Sequence, residues 1–382
     1  MSIPLDRLYH YIESIAEKIR GDSILIYHFY PHGSKNINHL IPLSTSISSV
    51  KWRYSPYIIC NDQEPLNFDF YAQYEGNIRP RTTYSQELND PAIMFPEPKN
   101  IFNNVILLHS EKNSKEVVKY QSNEFIPVYY WSHALIALDW YRFAQHIKQK
   151  KNIKKRFLIY NRAWSGTREY RLQFADYLIK LDMTKSCQMT CNPIDPTLNK
   201  HYNLHDFLNP VWRPANTIEK YFSTSAASSH YSADFELTDY EATEIEVVLE
   251  TLFDDSRLHL TEKSLRPIAC GQPFILASTT GSLEYLRNYG FKTFSNCWDE
   301  SYDLEPDPKE RLIKITELMK HLDCQESGKH KRKMLQAQKI ADYNKKHFFS
   351  KNFFNQVVNE LKTNLTSGLI AINYTRKINW DI

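Results

Sequence analysis

Three arginines, Arg162, Arg168 and Arg171, follow one another closely at a place where the chain changes character. An apolar run, Phe157-Leu158-Ile159-Tyr160, gives way to the polar loop Asn161 to Arg168, and then to Tyr170, Arg171, Phe174, Leu178 and Leu181 at helical spacing. Guanidinium forks grip phosphate oxygens in pairs, and a helix start adds unsatisfied N–H groups and the positive end of a dipole. A strand-to-helix junction of this kind is a candidate phosphate site. The alternative is a surface arginine cluster paired with Glu169 or Asp176.

A second charged junction lies downstream in ETLFDDSRLHLTEKSLRPIACGQPFILAS, Glu250 to Ser278. The β-branched run Ile245 to Leu249 suits a buried strand that ends at Glu250. Leu260, Ser264, Leu265, Ile268 and Ala269 recur at helical spacing, with Thr261 placed to cap the helix and Glu262 in its first turn. Gly271 and Pro273 stop the helix, and Pro273 to Leu276 begins another buried strand. Such a unit sets Glu250, Thr261, Glu262, Lys263 and Arg266 at one end of a parallel sheet, where open α/β sheets bind ligands. The plainer alternative is an ordinary βαβ unit with a charged helix start.

Groups able to move a proton gather earlier in the chain. Tyr57 to Cys60 reads as a strand that runs into Asn61-Asp62-Gln63-Glu64, so Asp62 and Glu64 stand where acid/base chemistry is done. The alternative is that Asp62 caps a turn and Glu64 is solvated. A third strand, Asn104 to Leu108, leads to His109, Ser110, Glu111 and Lys112. A fourth, Ile126 to Trp131, leads to Ser132 and His133, with Ser132 placed to cap the next helix. His133 either touches a substrate or makes a structural hydrogen bond. Three successive strands thus end in polar loops.

Leu5, Leu8, Ile12, Ile15, Ala16 and Ile19 predict an amphipathic helix ended by Gly21, and Ser23 to Phe29 a first strand. The basic stretch His146 to Arg156 reads as a linker or a helix end running into one. Ser223 to Ser229 is expected to be a mobile loop. Gly281 to Leu286 predicts a short helix, Gly290 to Phe294 a strand, and about Lys309 to Leu365 a helical region. With 382 residues the chain has room for two domains. The division expected is an N-terminal domain over 1–150, a C-terminal domain over 151–365, and a tail over 366–382 that packs back on the first.

Composition narrows the function. There are 25 Tyr, 20 Phe and 7 Trp, a supply of rings suited to stacking on sugars or bases as well as to core. Only 9 Gly are present. Neither the dinucleotide-binding GxGxxG nor the P-loop GxxxxGK[ST] occurs, which disfavours a Rossmann oxidoreductase and a P-loop enzyme. Net charge is +3, too small to name a partner. Cys60, Cys187, Cys191, Cys270, Cys297 and Cys324 form no CxxC pair and no persuasive zinc set, so reduced thiols in a cytoplasmic protein are expected. No stretch approaches the ~18 apolar residues of a membrane span, and the N-terminus lacks the apolar core of a signal peptide.

The pattern E…TEK…P…G…PF, carried by Glu250, Thr261, Glu262, Lys263, Gly271, Pro273 and Phe274, resembles the donor-binding segment of GT-B glycosyltransferases, in particular the fucosyltransferase-like group. The arrangement Tyr160-Asn161-Arg162 with Arg168 and Arg171 is similar to the start of the C-terminal domain in the same group. GFKTF (Gly290 to Phe294) and DESYD (Asp299 to Asp303) resemble uncharacterised glycosyltransferase-like proteins of bacteriophages. The resemblance implies two Rossmann-like domains facing a central cleft, with C-terminal helices. It implies a nucleotide-sugar held by Asn161, Arg162, Arg168, Glu250, Thr261, Glu262 and Lys263, and no metal cofactor. Asp62, then Glu64, are the candidate bases of an inverting reaction, with His133 beside them, and His109 and Glu111 are on the acceptor side. The acceptor implied is a hydroxymethylated pyrimidine such as 5-hydroxymethylcytosine in DNA, in the host cytoplasm if the chain is phage-encoded. The alternatives are a surface or lipid-linked glycan, or a non-catalytic nucleotide- or glycan-binding protein, and a monomer or homodimer is expected.

Overall fold

The structure is a computed structural model that describes residues 11–12, 14–15, 18, 25–29, 57–61, 65, 105–122, 128–196, 198–214, 218–223, 234–253 and 256–378. In chain order its principal elements are β1 (Leu25–Phe29), β2 (Tyr57–Asn61), β3 (Val105–His109), α1 (Lys115–Ser122), β4 (Val128–Tyr130), α2 (Ala134–Trp140), β5 (Lys155–Asn161), α3 (Tyr170–Lys180) and β6 (Cys187–Cys191). There follow the short pair β7 (Ile194–Asp195) and β8 (Lys200–His201), then α4 (Leu237–Ala242), β9 (Thr243–Leu249), α5 (Glu262–Cys270), β10 (Phe274–Ala277), α6 (Ser282–Asn288), α7 (Pro308–Asp323), α8 (Ser327–Phe348) and α9 (Lys351–Ile378). The protein is a mixed α/β structure with parallel sheets and C-terminal helices. It divides into two compact units, Met1–Asp139 with Asn355–Ile382, and Trp140–Phe354.

In the first unit, β1 to β4 form a parallel sheet in sequence order. Parallel neighbours require a crossover, and α1 supplies it between β3 and β4. Residues 11, 12, 14, 15 and 18, the described part of the expected N-terminal helix, are helical, and Ile12 is buried. The last helix belongs here from Asn355 onward. It is fixed by Asn364 Nδ2 donating to Tyr130 O at 2.7 Å and by a Lys112–Glu360 ion pair at 3.5 Å. Gly368 permits the approach: a Cβ there would stand 3.0 Å from the Tyr129 ring and 3.1 Å from Ile106.

In the second unit the parallel sheet runs β10-β9-β5-β6. The chain goes from β5 outward to β6, then returns to β9 on the other side of β5, so the strand order reverses between β5 and β9. The crevice at such a reversal is where open α/β sheets take ligands. The register pairs Asn161 with Cys191, and Leu249 with Ala277. The loops that leave β5, β9 and β10 therefore emerge at one edge.

The expected helix after Glu250 forms, and its ends follow the reading. Thr261 caps α5, its side chain accepting the Lys263 N–H at 3.3 Å. At the other end Gly271 sits at φ +72°. Gln272 N donates to Pro267 O at 2.9 Å and Gly271 N to Ile268 O at 3.1 Å, a Schellman ending.

Three expectations need correction. Gly290 to Phe294 is not a strand. Phe291 and Phe294 are buried from a loop, and Phe294 stacks on Trp298 with centroids 4.8 Å apart. Apolar residues three apart suit a packed loop better than the two-residue period of a strand. The basic stretch read as a linker lies inside the second unit, strapped to α4. Lys150 N donates to Glu241 Oε1 at 2.8 Å and Asn152 N to Glu241 O at 2.9 Å. Lys151 keeps an exposed stem, but its ammonium donates to Tyr240 O, Thr243 O and Gln272 Oε1 at 2.8, 3.0 and 2.5 Å. Burial of that ammonium lowers its pKa to about 8, against the upward pull of Glu244.

The third correction is Arg266. It is not at the sheet's end but in the core, 3% exposed, and bonds the equally buried Glu246 through Nη2 at 2.6 Å. Tyr240 donates to the same carboxylate at 2.5 Å, and the guanidinium lies 4.5 Å over the Tyr160 ring. Position 246 reads as one more residue of an apolar strand; the charge is tolerated because it is paired and hydrogen-bonded. Of the expected mobile loop, all but Ser223 lies outside the described residues.

Candidate functional site

At the reversal point of the second sheet, α3 ties the ends of β5 and β9 together. Arg171 is buried and donates to Ala163 O at 2.7 Å, Leu249 O at 2.8 Å and Glu250 O at 3.0 Å. Tyr170 donates to Glu250 O at 2.6 Å and stacks on Phe253 with centroids 4.2 Å apart. The two charged junctions seen in the sequence are thus brought side by side. Arg171 is the exception among the three arginines, because its fork is spent on backbone carbonyls.

Glu250 lies at the centre of the β9 side and is fully buried. Its Oε1 accepts Thr261 N at 2.9 Å, Ser264 N at 3.2 Å and Ser264 Oγ at 2.5 Å. Its Oε2 accepts Thr251 N at 3.1 Å and Thr261 Oγ1 at 2.9 Å. Five donors occupy the carboxylate. Burial works to raise its pKa, but Lys263, Ser264 and the Thr261 N–H outweigh burial and hold it below the ordinary 4.5. The role this geometry supports is a clamp that fills the N-terminus of α5 with negative charge. Lys263 stands beside it, its ammonium 2.8 Å from Glu262 Oε1 and 3.3 Å from Thr261 Oγ1. Tyr141 donates to Glu262 O at 3.1 Å and steadies the same turn.

On the β5 side, Asn161 is fully buried. Its N–H donates to Thr190 Oγ1 at 3.2 Å and its Nδ2 meets Cys191 Sγ at 3.5 Å, while its Oδ1 has no partner among the described residues. The same holds for two other buried hydroxyls of these loops, Thr167 Oγ1 and Ser278 Oγ. Buried polar atoms are nearly always hydrogen-bonded, so these three have bonding capacity to spare at the ends of β5 and β10. Arg162 is half-buried, and among the described residues its guanidinium makes no hydrogen bond or ion pair. Arg168 ends a short 3-10 turn, Gly166–Arg168. Glu169 is held by His205 at 2.8 Å and Leu208 N at 2.9 Å, and Asp176 by Lys180 at 2.7 Å.

Several residues that shape this site gave no sequence signal. Asp195 accepts Trp164 N at 2.8 Å and Ser165 N at 2.9 Å, which fixes the loop after β5 from a distant hairpin. Arg311, on α7, lies 4.6 Å over the Phe253 ring and donates to Phe253 O and to Thr280 Oγ1. In DESYD, Tyr302 is core, and Asp303 accepts Leu283 N at the start of α6. Burial pushes the Asp303 carboxyl up to about 6.

In the first unit, His109, Glu111 and His133 are all buried at the ends of the adjacent strands β3 and β4. Trp131 N donates to His109 O at 2.9 Å, and Glu111 N to His109 Nδ1 at 3.3 Å. His133 stacks on Trp131 with centroids 5.6 Å apart, and its carbonyl accepts Ile136 N and Ala137 N. Ser132 Oγ accepts Ala134 N at 3.3 Å, the turn expected at this helix start. Lys112 Nζ lies 4.5 Å over the Tyr130 ring. Asp62 and Glu64 lie outside the described residues.

Among the described residues no cluster of three or more His, Cys, Asp or Glu side chains has metal-site geometry, and no helix is long and apolar enough to cross a membrane. No protein-family model matches the chain, and no curated protein matches its sequence.

Proposed function

We propose that the protein is a GT-B-type glycosyltransferase, with two Rossmann-like domains, that moves a sugar from a nucleotide-sugar to an acceptor hydroxyl. The observation that carries this is the junction at the β5/β9 reversal, where Arg162 follows the end of β5, Lys263 stands in the first turn of α5 after β9, and buried Asn161, Thr167 and Ser278 oxygens of the loops at this sheet edge lack partners among the described residues. Cations meet a diphosphate, and unpaired acceptors and hydroxyls meet ribose or sugar hydroxyls. In the reaction the acceptor oxygen bonds to the anomeric carbon as the bond from that carbon to the diphosphate breaks. Negative charge grows on the leaving diphosphate, and fixed cations in a site shielded from water stabilise it. The acceptor proton passes to a carboxylate in an inverting enzyme, with Asp62 the first candidate and Glu64 the second.

Within this reading Glu250 positions Thr261, Glu262 and Lys263 and does not touch the donor. His109 and Glu111 belong to the acceptor side, and His133 is a third catalytic candidate after Asp62 and Glu64. The acceptor class is a hydroxymethylated pyrimidine in DNA, and the enzyme works in the cytoplasm without a metal cofactor, as the resembling group does. The test is a thermal-shift and calorimetric panel of nucleotide-sugars, since a ligand of the folded state raises its melting temperature. One donor is expected to bind. Arg162→Ala and Lys263→Ala are each expected to weaken it by roughly tenfold or more, the loss of a charge-assisted bond; the ligand-free melting temperature should be unchanged in Arg162→Ala and lowered in Lys263→Ala, which also strips the buried Glu250 and Glu262 carboxylates of their cation. No shift across the panel, or full affinity in both variants, would discard the donor site and leave a binding protein of another kind.

A further inference from the structure

Helix α8 carries a charge the rest of the chain does not. Ser327–Phe348 holds Lys329, Lys331, Arg332, Lys333, Lys339, Lys345 and Lys346 against the single acid Asp342, in a protein whose net charge is only +3. At 3.6 residues per turn, Lys329, Arg332, Gln336, Lys339, Tyr343 and Lys346 fall within a sector of about 100°. All six are exposed. The opposite face, with His330, Ala337, Ala341, Asn344 and Phe348, is buried. Gln338 donates to Gly271 O at 2.9 Å, and Asn344 both accepts Lys292 N and donates to Lys292 O at 2.8 Å. The helix is therefore held on the second unit with its cationic face turned outward. Among the described residues no carboxylate pairs with Lys329, Arg332, Lys339 or Lys346.

We infer that this face is a docking surface for the phosphate backbone of duplex nucleic acid. Charge complementarity names the polyanion. The four cations span about 26 Å, at 1.5 Å of rise per residue, and a duplex presents phosphates continuously over that length. Arg332, Lys339 and Lys346 follow one another at seven-residue intervals, so they form a straight row rather than a pocket for one small anion. A membrane surface fits less well, because the helix's apolar side is buried in the protein and cannot enter lipid. Contacts of this kind are to backbone and carry no sequence preference. The surface rests on the DNA reading of the acceptor and is separate from the donor site, so the two can fail independently.

The experiment is fluorescence anisotropy on a labelled 24-base-pair duplex over a KCl series, with nucleotide-sugar binding measured on the same samples by thermal shift. The variant is the triple substitution Arg332→Gln, Lys339→Gln and Lys346→Gln. Each phosphate contact contributes about 0.9 to the slope of log affinity against log salt, so losing three should lower that slope by about 2.7 and weaken binding at least roughly tenfold near 0.1 M salt. Donor shift and melting temperature should be unchanged. A control pair elsewhere on the unit, Lys220→Gln with Lys309→Gln, should leave the slope in place. The inference is overturned if the wild type does not bind the duplex, if the triple variant keeps the slope, if the control pair lowers it equally, or if phosphatidylserine vesicles are bound in preference to DNA. A lost donor shift with duplex binding intact would strike the proposed function and leave this surface standing.

Discussion

Glu250→Gln separates a structural clamp from a ligand contact. The amide keeps the side chain's shape but replaces one acceptor oxygen by an NH2 donor. If that group took the place of Oε1 it would face Thr261 N, Ser264 N and Ser264 Oγ. The less costly choice is the place of Oε2, where Thr261 Oγ1 can turn to accept and only Thr251 N is stranded. A buried backbone N–H without a partner costs about 1–3 kcal/mol. Weakening the remaining bonds from charge-assisted to neutral costs about 1 kcal/mol more, and losing the negative charge at the helix start about 0.3–1 kcal/mol. An amide is easier to bury than a carboxylate, which returns part of this. The net is about 3 kcal/mol, or roughly 6–12 °C in melting temperature for a unit of this length. Urea unfolding followed by circular dichroism reads it directly. The acid limb is a second readout. Glu250 has its pKa held below 4.5 in the fold, so its contribution is full above that value and is lost as pH falls through the lowered one. The Gln variant should lose less stability than wild type between pH 6 and the acid limb. A variant with wild-type midpoint and wild-type acid sensitivity would refute the clamp.

Two further outcomes rest on the same core. Arg266→Met leaves Glu246 buried without its cation and should cost about 3–5 kcal/mol, whereas Arg266→Met with Glu246→Leu should recover most of it; equal losses in the single and double variants would contradict this. At high pH, burial pushes the Cys187 and Cys191 thiols up to about 12 from 9.0. The folded state keeps protons that the unfolded chain releases, so stability is intact below pH 9 and falls as pH rises toward 12. Each thiol should account for about 1.4 kcal/mol at pH 10. A Cys187→Ala, Cys191→Ala double variant should show a shallower decline in urea midpoint between pH 8 and pH 10; an unchanged decline would show that other groups set it.

The sequence was most legible where period and punctuation agree. Apolar runs located β2, β3, β5, β9 and β10, and the Thr261 cap with the Gly271 stop bounded α5 closely. It was least legible where a residue's meaning depends on a distant partner. Arg171 and Arg162 look alike in the chain, but only one of them reaches the carbonyls at the end of β9. Glu246 is hidden in an apolar strand because its partner lies twenty residues on. Asp195, which shapes the loop after β5, sits in a short hairpin with no periodic signal. Phe291 and Phe294 mimic a strand because aromatic packing supplies the burial that a sheet would.

These cases bear on where charge would be met at the reversal point. A helix N-terminus attracts anions through free N–H groups and its dipole. At α5 the protein's own Glu250 already takes the Thr261 and Ser264 N–H groups and opposes the dipole with a full negative charge. A diphosphate near this turn would gain little from the helix and would have to be held by side chains. Lys263 is the cation in the first turn of α5, and Arg162 is the half-buried cation that follows the end of β5. On the proposed function the demand on those two follows from the clamp: with Glu250 filling the helix start, removing either cation should cost donor affinity, and the helix dipole should not make good the loss.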